Sequence, residues 1–375
     1  MDIGQDIFET KTDPGATEWR IHDDVVRLRE WGTEIIHRLP QAPWDSAVIG
    51  TAESCSLQVV DPSGFTSREH ARLDRGPSGW LVRDLASKNG TRVDGSRRAE
   101  VRLDPGIELG VGSLTLIAES RRFIELRRFI ARLLGWTADK TVMVDFALRA
   151  IRLAATRRAP LVLCGPGDLI SVAHAIHRHA LGAKPFVVCD PRRREGEENV
   201  RSAGNSETGL AAMQRARGGS LCVWTRRLPH DFADVRLALR DPVARVQLIV
   251  CAEFLRHTKP YLVEPIVIPP LSSRFQELPR IIDEYADEAA AEVSASVHLT
   301  PADRDWIMRN SSSSISEIEK GTRRLLAIRN HDDNTAAAAR SLGMAPISLA
   351  RWIGRRALPE WQPIRMPTTP MRTRR

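Results

Sequence analysis

The sequence predicts a multidomain chain: a β-sandwich, then an α/β domain with a helical lid, then a helix-turn-helix. Three observations predict it. From Val25 to Ile117, short β-rich runs (VVRL, TEIIHRL, SAVIG, SLQVV, GWLVRDL, TRVDG, LTLIA) are separated by Gly, Pro, Asp and Ser turns. That spacing is the mark of a sandwich. From Thr141 to about Ala291, the apolar runs LVLC, PFVVC, SLCVW, VQLIVC and EPIVI alternate with helical stretches, the mark of a mostly parallel sheet. From Thr300 onward the pattern is helical only. The expected organisation is a flexible N-terminus (1–21), the sandwich (22–119), a linker helix (120–134), the α/β domain (135–295), the lid (296–330), the helix-turn-helix (331–358) and a basic tail (359–375).

Composition bounds the functional class. The chain has 375 residues, 42% hydrophobic and 27% charged, as in ordinary globular proteins. No stretch approaches the roughly 20 apolar residues of a membrane span, and the acidic start MDIGQDIFETKTD is no secretory signal. Cys55, Cys164, Cys189, Cys222 and Cys251 lie widely spaced, mostly within apolar runs. They read as buried, reduced thiols of a cytoplasmic protein. The net charge of +8 is uneven: Arg351–Arg375 holds seven arginines and one acid, Glu360. Such an end favours a polyanion such as DNA, or is a solvated tail.

Within the sandwich, two polar loops stand out, Ser67-Arg68-Glu69-His70 and Ser87-Lys88-Asn89-Gly90-Thr91. Loops at one end of a sandwich are recognition sites, and their hydroxyls, amide and basic groups can converge on an anion. The order of Ile49-Gly50, these two loops, Asp94-Gly95 and the Leu103-x-x-Gly106 and Leu109-Gly110 turns resembles that of a forkhead-associated (FHA) domain, over about Val25–Glu119. The resemblance implies binding of phosphothreonine peptides. Ser67 and the Arg68 backbone would contact the phosphate, with Lys88 beside it, and Asn89 would hold the peptide main chain. His70 and Thr91 would brace the loops, and Gly50, Gly90 and Gly95 would shape them. The family usually has Arg after Ile-Gly, paired with the phosphate. Here it is Thr51, at a cost of roughly 1.5–3 kcal/mol if nothing compensates. Two readings follow: a phosphothreonine module helped by Lys88 or Arg68, or an FHA fold that binds its partner without phosphate.

The α/β domain opens with LVLCGPGDLISVAHAIH, Leu161–His177. This is the frame of a P-loop without its chemistry. No Lys follows Gly165-Pro166-Gly167, the second glycine of the motif is absent, and Asp168 would repel phosphate. The Gly218-Gly219 strand ends in Trp224-Thr225 where a magnesium-binding Asp-Glu would be needed. The region 134–330 resembles the AAA+ domain of sigma-54-dependent activators. It does so through Pro160–Gly165, Ala173–His177, Pro185–Val188, Gly218–Leu221, Leu228-Pro229, Ile268–Leu271 with Arg274, and Glu317-Ile318. Against that family, the sigma-54-contacting loop has no counterpart between Val188 and Gly218. The sensor strand ends in Cys251-Ala252-Glu253, and the lid motif is Ser313–Ser316. A folded platform without ATP hydrolysis, nucleotide site or cofactor is expected, Gly165 and Gly167 being remnants. His174, His177 and His179 read as surface or half-buried histidines; no metal is expected.

In NTAAAARSLGMAPISLARWIGRR, Asn334 can cap a helix over Thr335–Leu342 and Gly343 suits the turn. Ala339, Leu342, Met344, Leu349 and Ile353 have the spacing of a small shared core. The pattern is that of a helix-turn-helix and resembles the Fis-type module that closes sigma-54 activators. Pro346, Ile347, Ala350 and Arg351 should face outward. Arg351 would read bases, Ser348 would lie beside it, and Arg355 and Arg356 would hold phosphates. A plain helical hairpin is the alternative.

The leading expectation is a cytoplasmic bacterial transcriptional regulator that is not an enzyme. Its partners would be a threonine-phosphorylated or other protein at the FHA loops and double-stranded DNA at the C-terminus, with a homo-oligomer possible and no membrane. An FHA adaptor without DNA is the first alternative, and a working sigma-54 ATPase the second.

Overall fold

The computed structural model describes residues 21, 23–42, 45–157, 159–194, 198–200, 203–292, 297–354, 356, 358 and 359. Most of the expected flexible N-terminus, Arg355 and the basic tail from 360 lie outside them. The chain divides into two compact units: Met1–Gly165 with Leu169–Ile268, and Pro166–Asp168 with Pro269–Arg375.

The first unit begins with β1 (Val25–Glu30), β2 (Ile36–Arg38), β3 (Ser46–Gly50), β4 (Leu57–Gln58), β5 (Ala71–Gly76) and β6 (Gly79–Asp84). It continues with β7 (Thr91–Val93), β8 (Ser96–Arg97), β9 (Glu100–Arg102), β10 (Glu108–Val111) and β11 (Leu114–Ser120). They form two sheets, β2-β1-β11-β10-β7-β8 and β4-β3-β5-β6-β9. Alternating residues of both enter one core around Leu28, Ile49, Leu73, Trp80, Leu109 and Leu116, as sandwich packing requires. The Trp80 indole, 1% exposed, donates to the Val25 carbonyl at 3.1 Å, so its polar atom is satisfied within the core.

Ser120 ends β11 and also caps α1 (Arg121–Leu134), accepting from the Phe123 amide at 3.2 Å. Phe123, Leu126, Ile130 and Leu133 are all buried, so the helix expected as a linker is packed along its length. α2 (Ala138–Arg157) follows. Then come β12 (Leu161–Cys164), α3 (Leu169–Leu181), β13 (Phe186–Cys189), β14 (Glu198–Val200), β15 (Ala203–Ser206), α4 (Gly209–Arg215), β16 (Ser220–Trp224), α5 (Phe232–Ala238), β17 (Gln247–Ala252) and β18 (Ile266–Val267). The sheet order is β14-β15-β13-β16-β17-β12-β18, parallel except for the β14–β15 hairpin. That hairpin falls in the charged stretch after Val188 that the sequence leaves without a strand. All five cysteines are buried thiols outside any disulfide. Among the described residues no helix is long and apolar enough to cross a membrane.

In the second unit, α6 (Leu278–Glu292), α7 (Pro301–Ser311), α8 (Ile315–Asn330), α9 (Thr335–Ser341) and α10 (Pro346–Gly354) pack together. The sequence places the lid at 296, yet this unit takes up the chain from Pro269. Ile281, Ile282, Tyr285 and Ala289 make α6 an apolar-faced helix, and α8 is its packing partner. The buried Arg329–Asp303 pair, 2.9 Å apart, ties α8 to α7.

At the C-terminus α9 and α10 pack against each other. Asn334 accepts from the Ala337 amide at 3.1 Å, and Gly343 takes φ +64°. Ala338, Ala339 and Leu349 are buried in the core of this pair, whereas Leu342 and Met344, expected there, are half-buried. Trp352, 8% exposed, packs edge-on against Trp306 at 5.5 Å between centroids, whereas Ile353 is half-buried.

Candidate functional site

The two polar loops of the sandwich meet through side chains. The Ser67 amide donates to His70 Nδ1 at 3.2 Å, which leaves Nε2 to carry the proton toward Ser87 Oγ at 3.1 Å. Ser87 Oγ and Thr91 Oγ1 both donate to Asp84 Oδ1 at 2.7 Å. The Lys88 amide returns to Ser67 Oγ at 3.0 Å, and Asn89 Nδ2 donates to the Phe65 carbonyl at 2.7 Å. His70 is fully buried and Thr91 nearly so, so both act as braces. Ser67 and Asn89 are half-buried, and Arg68 and Lys88 are exposed.

This bracing leaves donors unspent. Ser67 Oγ accepts from Lys88 and keeps its own hydrogen to give. Among the described residues, neither the Arg68 and Lys88 side chains nor the Arg68 amide has a partner. Asn89 retains its carbonyl and one N–H. A hydroxyl, a backbone amide and two cationic side chains on neighbouring loops suit an anion.

The backbone holds the loops close. A Cβ on Gly50 would stand 2.1 Å from the Arg68 carbonyl oxygen, so β3 and the Ser67 loop touch only because position 50 is glycine. Gly90 and Gly95 take φ of +71° and +84°. Thr51 donates its amide to the Ser67 carbonyl at 3.2 Å. Asp61 anchors the approach to the site through Ser63, Thr66 and Ser113. The hydroxyls of Ser113, Ser63 and Thr66 hold its carboxyl far below the usual carboxylate range. Arg97, which the sequence does not single out, lies along Gly90: its Nε would be 3.4 Å from a Cβ there. The signal was available in the hairpin register, since Arg97 pairs with Arg92 one residue beyond Thr91.

Burial pushes the His70 imidazole below its ordinary value, opposed in part by the Asp84 charge. The sign follows. Below pH ~6.5 the unfolded chain takes up a proton that native His70 refuses. The stability of this domain is therefore full above that value and is lost as pH falls. In urea melts between pH 7.5 and 5.5, His70→Gln is expected to show a shallower fall than the unaltered chain. Equal slopes would show that His70 takes up its proton in the native state.

The other sites named from sequence are placed as follows. The Gly165 amide is spent on the Ala252 carbonyl at 3.0 Å, and a Cβ at Gly165 would stand 2.4 Å from the Ile268 carbonyl oxygen. That glycine serves sheet packing. Gly167 has φ +90°. His177 is a correction: it is 2% exposed rather than at the surface, facing Ser220 Oγ at 2.8 Å and the Lys184 carbonyl at 2.9 Å. Its ring fills the space between α3 and the sheet, and burial lowers its proton affinity. Among the described residues no group of three or more metal-ligating side chains converges. Arg351 and Ser348 are exposed on α10. Arg356 folds back, its guanidinium 5.2 Å from the Trp352 ring centre and donating to the Trp352 carbonyl.

Residues 47–112 match the family model of the FHA domain. No curated protein matches the chain. Solved structures similar to its N-terminal part include an FHA domain from a study of phosphothreonine-dependent FHA interactions, 24% identical over 25% of this chain and 95% of that one, with a TM-score of 0.23. Another is the second FHA domain of an ABC transporter from Mycobacterium tuberculosis, 33% identical over 21% and 71%, with a TM-score of 0.18. A third is EmbR of Mycobacterium tuberculosis in complex with a low-affinity phosphopeptide, 23% identical over 26% and 24%, with a TM-score of 0.23.

Proposed function

Given an FHA domain at residues 47–112, we propose that this chain is a bacterial transcriptional regulator whose FHA loops bind a threonine-phosphorylated protein. The observation that carries the reading is the cluster of unspent donors at Ser67, Arg68, Lys88 and Asn89, braced from beneath by His70 and Asp84. Lys88, Arg68 and Arg97 supply the positive charge that Thr51 does not.

The α/β region acts in this reading as a platform derived from a sigma-54-type AAA+ domain, and the chain is not an enzyme. In support, β12, β17 and β16 are adjacent and parallel. Their carboxyl ends carry the Gly165 turn, Glu253 and Trp224-Thr225 side by side, where open α/β sheets hold ligands. That arrangement supports the reading of a former nucleotide site, and the Gly165 amide, spent on the Ala252 carbonyl, supports the loss of its chemistry. Purified chain is expected to hydrolyse ATP no faster than a mock preparation. Turnover that copurifies with the chain would restore the working activator.

DNA binding rests on α10, where Arg351 is exposed and unpaired among the described residues. The adaptor alternative draws on the same helix, because its outer face is largely apolar: Ile347 is 59% exposed beside Pro346 and Ala350. Retention on a DNA duplex separates the two readings. For the regulator, retention falls steeply with salt and falls further in Arg351→Ala. Retention indifferent to both favours the adaptor. In the cell, this reading places the protein in the cytoplasm, acting as an oligomer.

A further inference from the structure

A cavity of about 510 Å³ lies between α2 and the segment Val263–Val267. Its walls are chiefly apolar and include Leu134, Phe146, Ala150, Ala154 and Ile266. Among the described residues β18 ends the sheet, with β12 its sole neighbour. The apolar wall therefore runs out to solvent, with Phe146 47% and Val267 39% exposed. The volume is typical of small-molecule sites.

A second cavity, about 410 Å³, borders the same helix on its FHA side. It is lined by the guanidinium groups of Arg92, Arg149, Arg152 and Arg157 and the carboxylates of Asp94 and Glu108. Three of the four guanidinium groups are engaged. Arg149 grips Glu108 and Arg152 grips Asp94, each through two nitrogens, and Arg92 donates to the Gly112 carbonyl. Arg157 is exposed; its charge acts on Asp94, but among the described residues it forms no hydrogen bond or ion pair. Arg149, Leu153 and Arg157, four residues apart along α2, line both cavities. On a helix such residues stack on one face. One ridge thus separates an apolar space from a basic one, and Arg157 stands at its free end.

We infer that this ridge binds a small amphiphilic anion, an acyl or aryl chain ending in a phosphate or carboxylate. Its body lies in the apolar cavity and its head on Arg157. The apolar walls select the chain, and the Arg157 guanidinium, whose fork of donors makes no hydrogen bond among the described residues, selects a planar or tetrahedral oxyanion. The head group lies beside the Arg149–Glu108 and Arg152–Asp94 pairs that join α2 to the sandwich, so occupancy bears on that joint.

Titration of the full chain with dodecyl phosphate, dodecanol and inorganic phosphate, below micelle formation, tests the inference. Trp31 supplies a local readout, because the Arg149 guanidinium lies 4.0 Å from its ring centre; the signal should vanish in Trp31→Phe. Dodecyl phosphate is expected to bind at least tenfold more tightly than dodecanol, and inorganic phosphate to give no saturation. Arg157→Ala should reduce dodecyl phosphate to the level of dodecanol. Ala150→Trp, which fills the cavity, should remove both, with melting curves confirming that the variants fold. Equal affinity for the phosphate and the alcohol, binding unchanged in both variants, or no binding at all would overturn the inference. A protein segment as the natural occupant would appear as the last of these.

Discussion

Asn89→Ala is expected to abolish measurable capture of phosphothreonine peptides, and Thr51→Arg to strengthen it by one to two decades. Asn89 sits on the second loop with one amide hydrogen spent on Phe65 and the rest of its amide available. Its removal takes away main-chain contacts to the ligand and frees the loop from Phe65. Thr51 lies next to the Ser67 carbonyl, so an arginine there starts from the edge of the donor cluster. A charge-assisted bond to phosphate contributes about 1.5–3 kcal/mol, which is about one to two decades of affinity. Calorimetry with matched phosphothreonine and threonine peptides checks both variants. If Thr51→Arg changes nothing, Lys88, Arg68 and Arg97 already satisfy the phosphate, or the phosphate lies elsewhere.

Arg29→Ala is expected to cost about 3–5 kcal/mol of stability, the magnitude for breaking a buried ion pair from one side. Arg29, Glu119 and Asp145 are all fully buried. Arg29 Nε donates to Glu119 at 2.7 Å, its terminal nitrogens grip both oxygens of Asp145, and one also reaches the Thr33 carbonyl at 2.8 Å. Burial opposes the Arg29 charge, and the bonds and charges of Asp145 and Glu119 overcome that and raise its proton affinity. Truncation leaves two carboxylates buried, with only Arg27 on Glu119 and the Gly32 amide on Asp145 among the described residues. Urea unfolding measures the loss. Because Asp145 belongs to α2 and Arg29 to β1, the sandwich and the α/β region should lose stability together. A loss below about 1 kcal/mol would mean that water enters and solvates the carboxylates.

These two residues mark where sequence reasoning succeeds and where it stops. The Ser67 and Ser87 loops were legible because a recognition loop is local: its hydroxyls, amide and glycines follow one another within a few residues. The strand β5 between them was not marked out, since ARLDRG alternates only weakly and its last three residues are half-buried. Arg29 was invisible for a different reason. It reads as one arginine of a half-polar strand, and its partner lies 116 residues away on a helix. The absence of a lysine after Gly165-Pro166-Gly167 is readable in the sequence itself. The actual use of Gly165, a close pass by Ile268, depends on a strand a hundred residues later. The core of the C-terminal pair takes in Trp352 and leaves Leu342, Met344 and Ile353 half-buried, because helical spacing alone does not reveal Trp306 waiting for Trp352.

The claim that phosphate governs the FHA loops is tested most directly by a pull-down from a divided lysate. Immobilised full chain is offered one half as prepared and one half treated with phosphatase, alongside Asn89→Ala. The prediction is a partner retained from the untreated half and lost both after phosphatase and with Asn89→Ala. A partner retained equally from both halves would contradict it, and would make the loops a phosphate-independent docking surface.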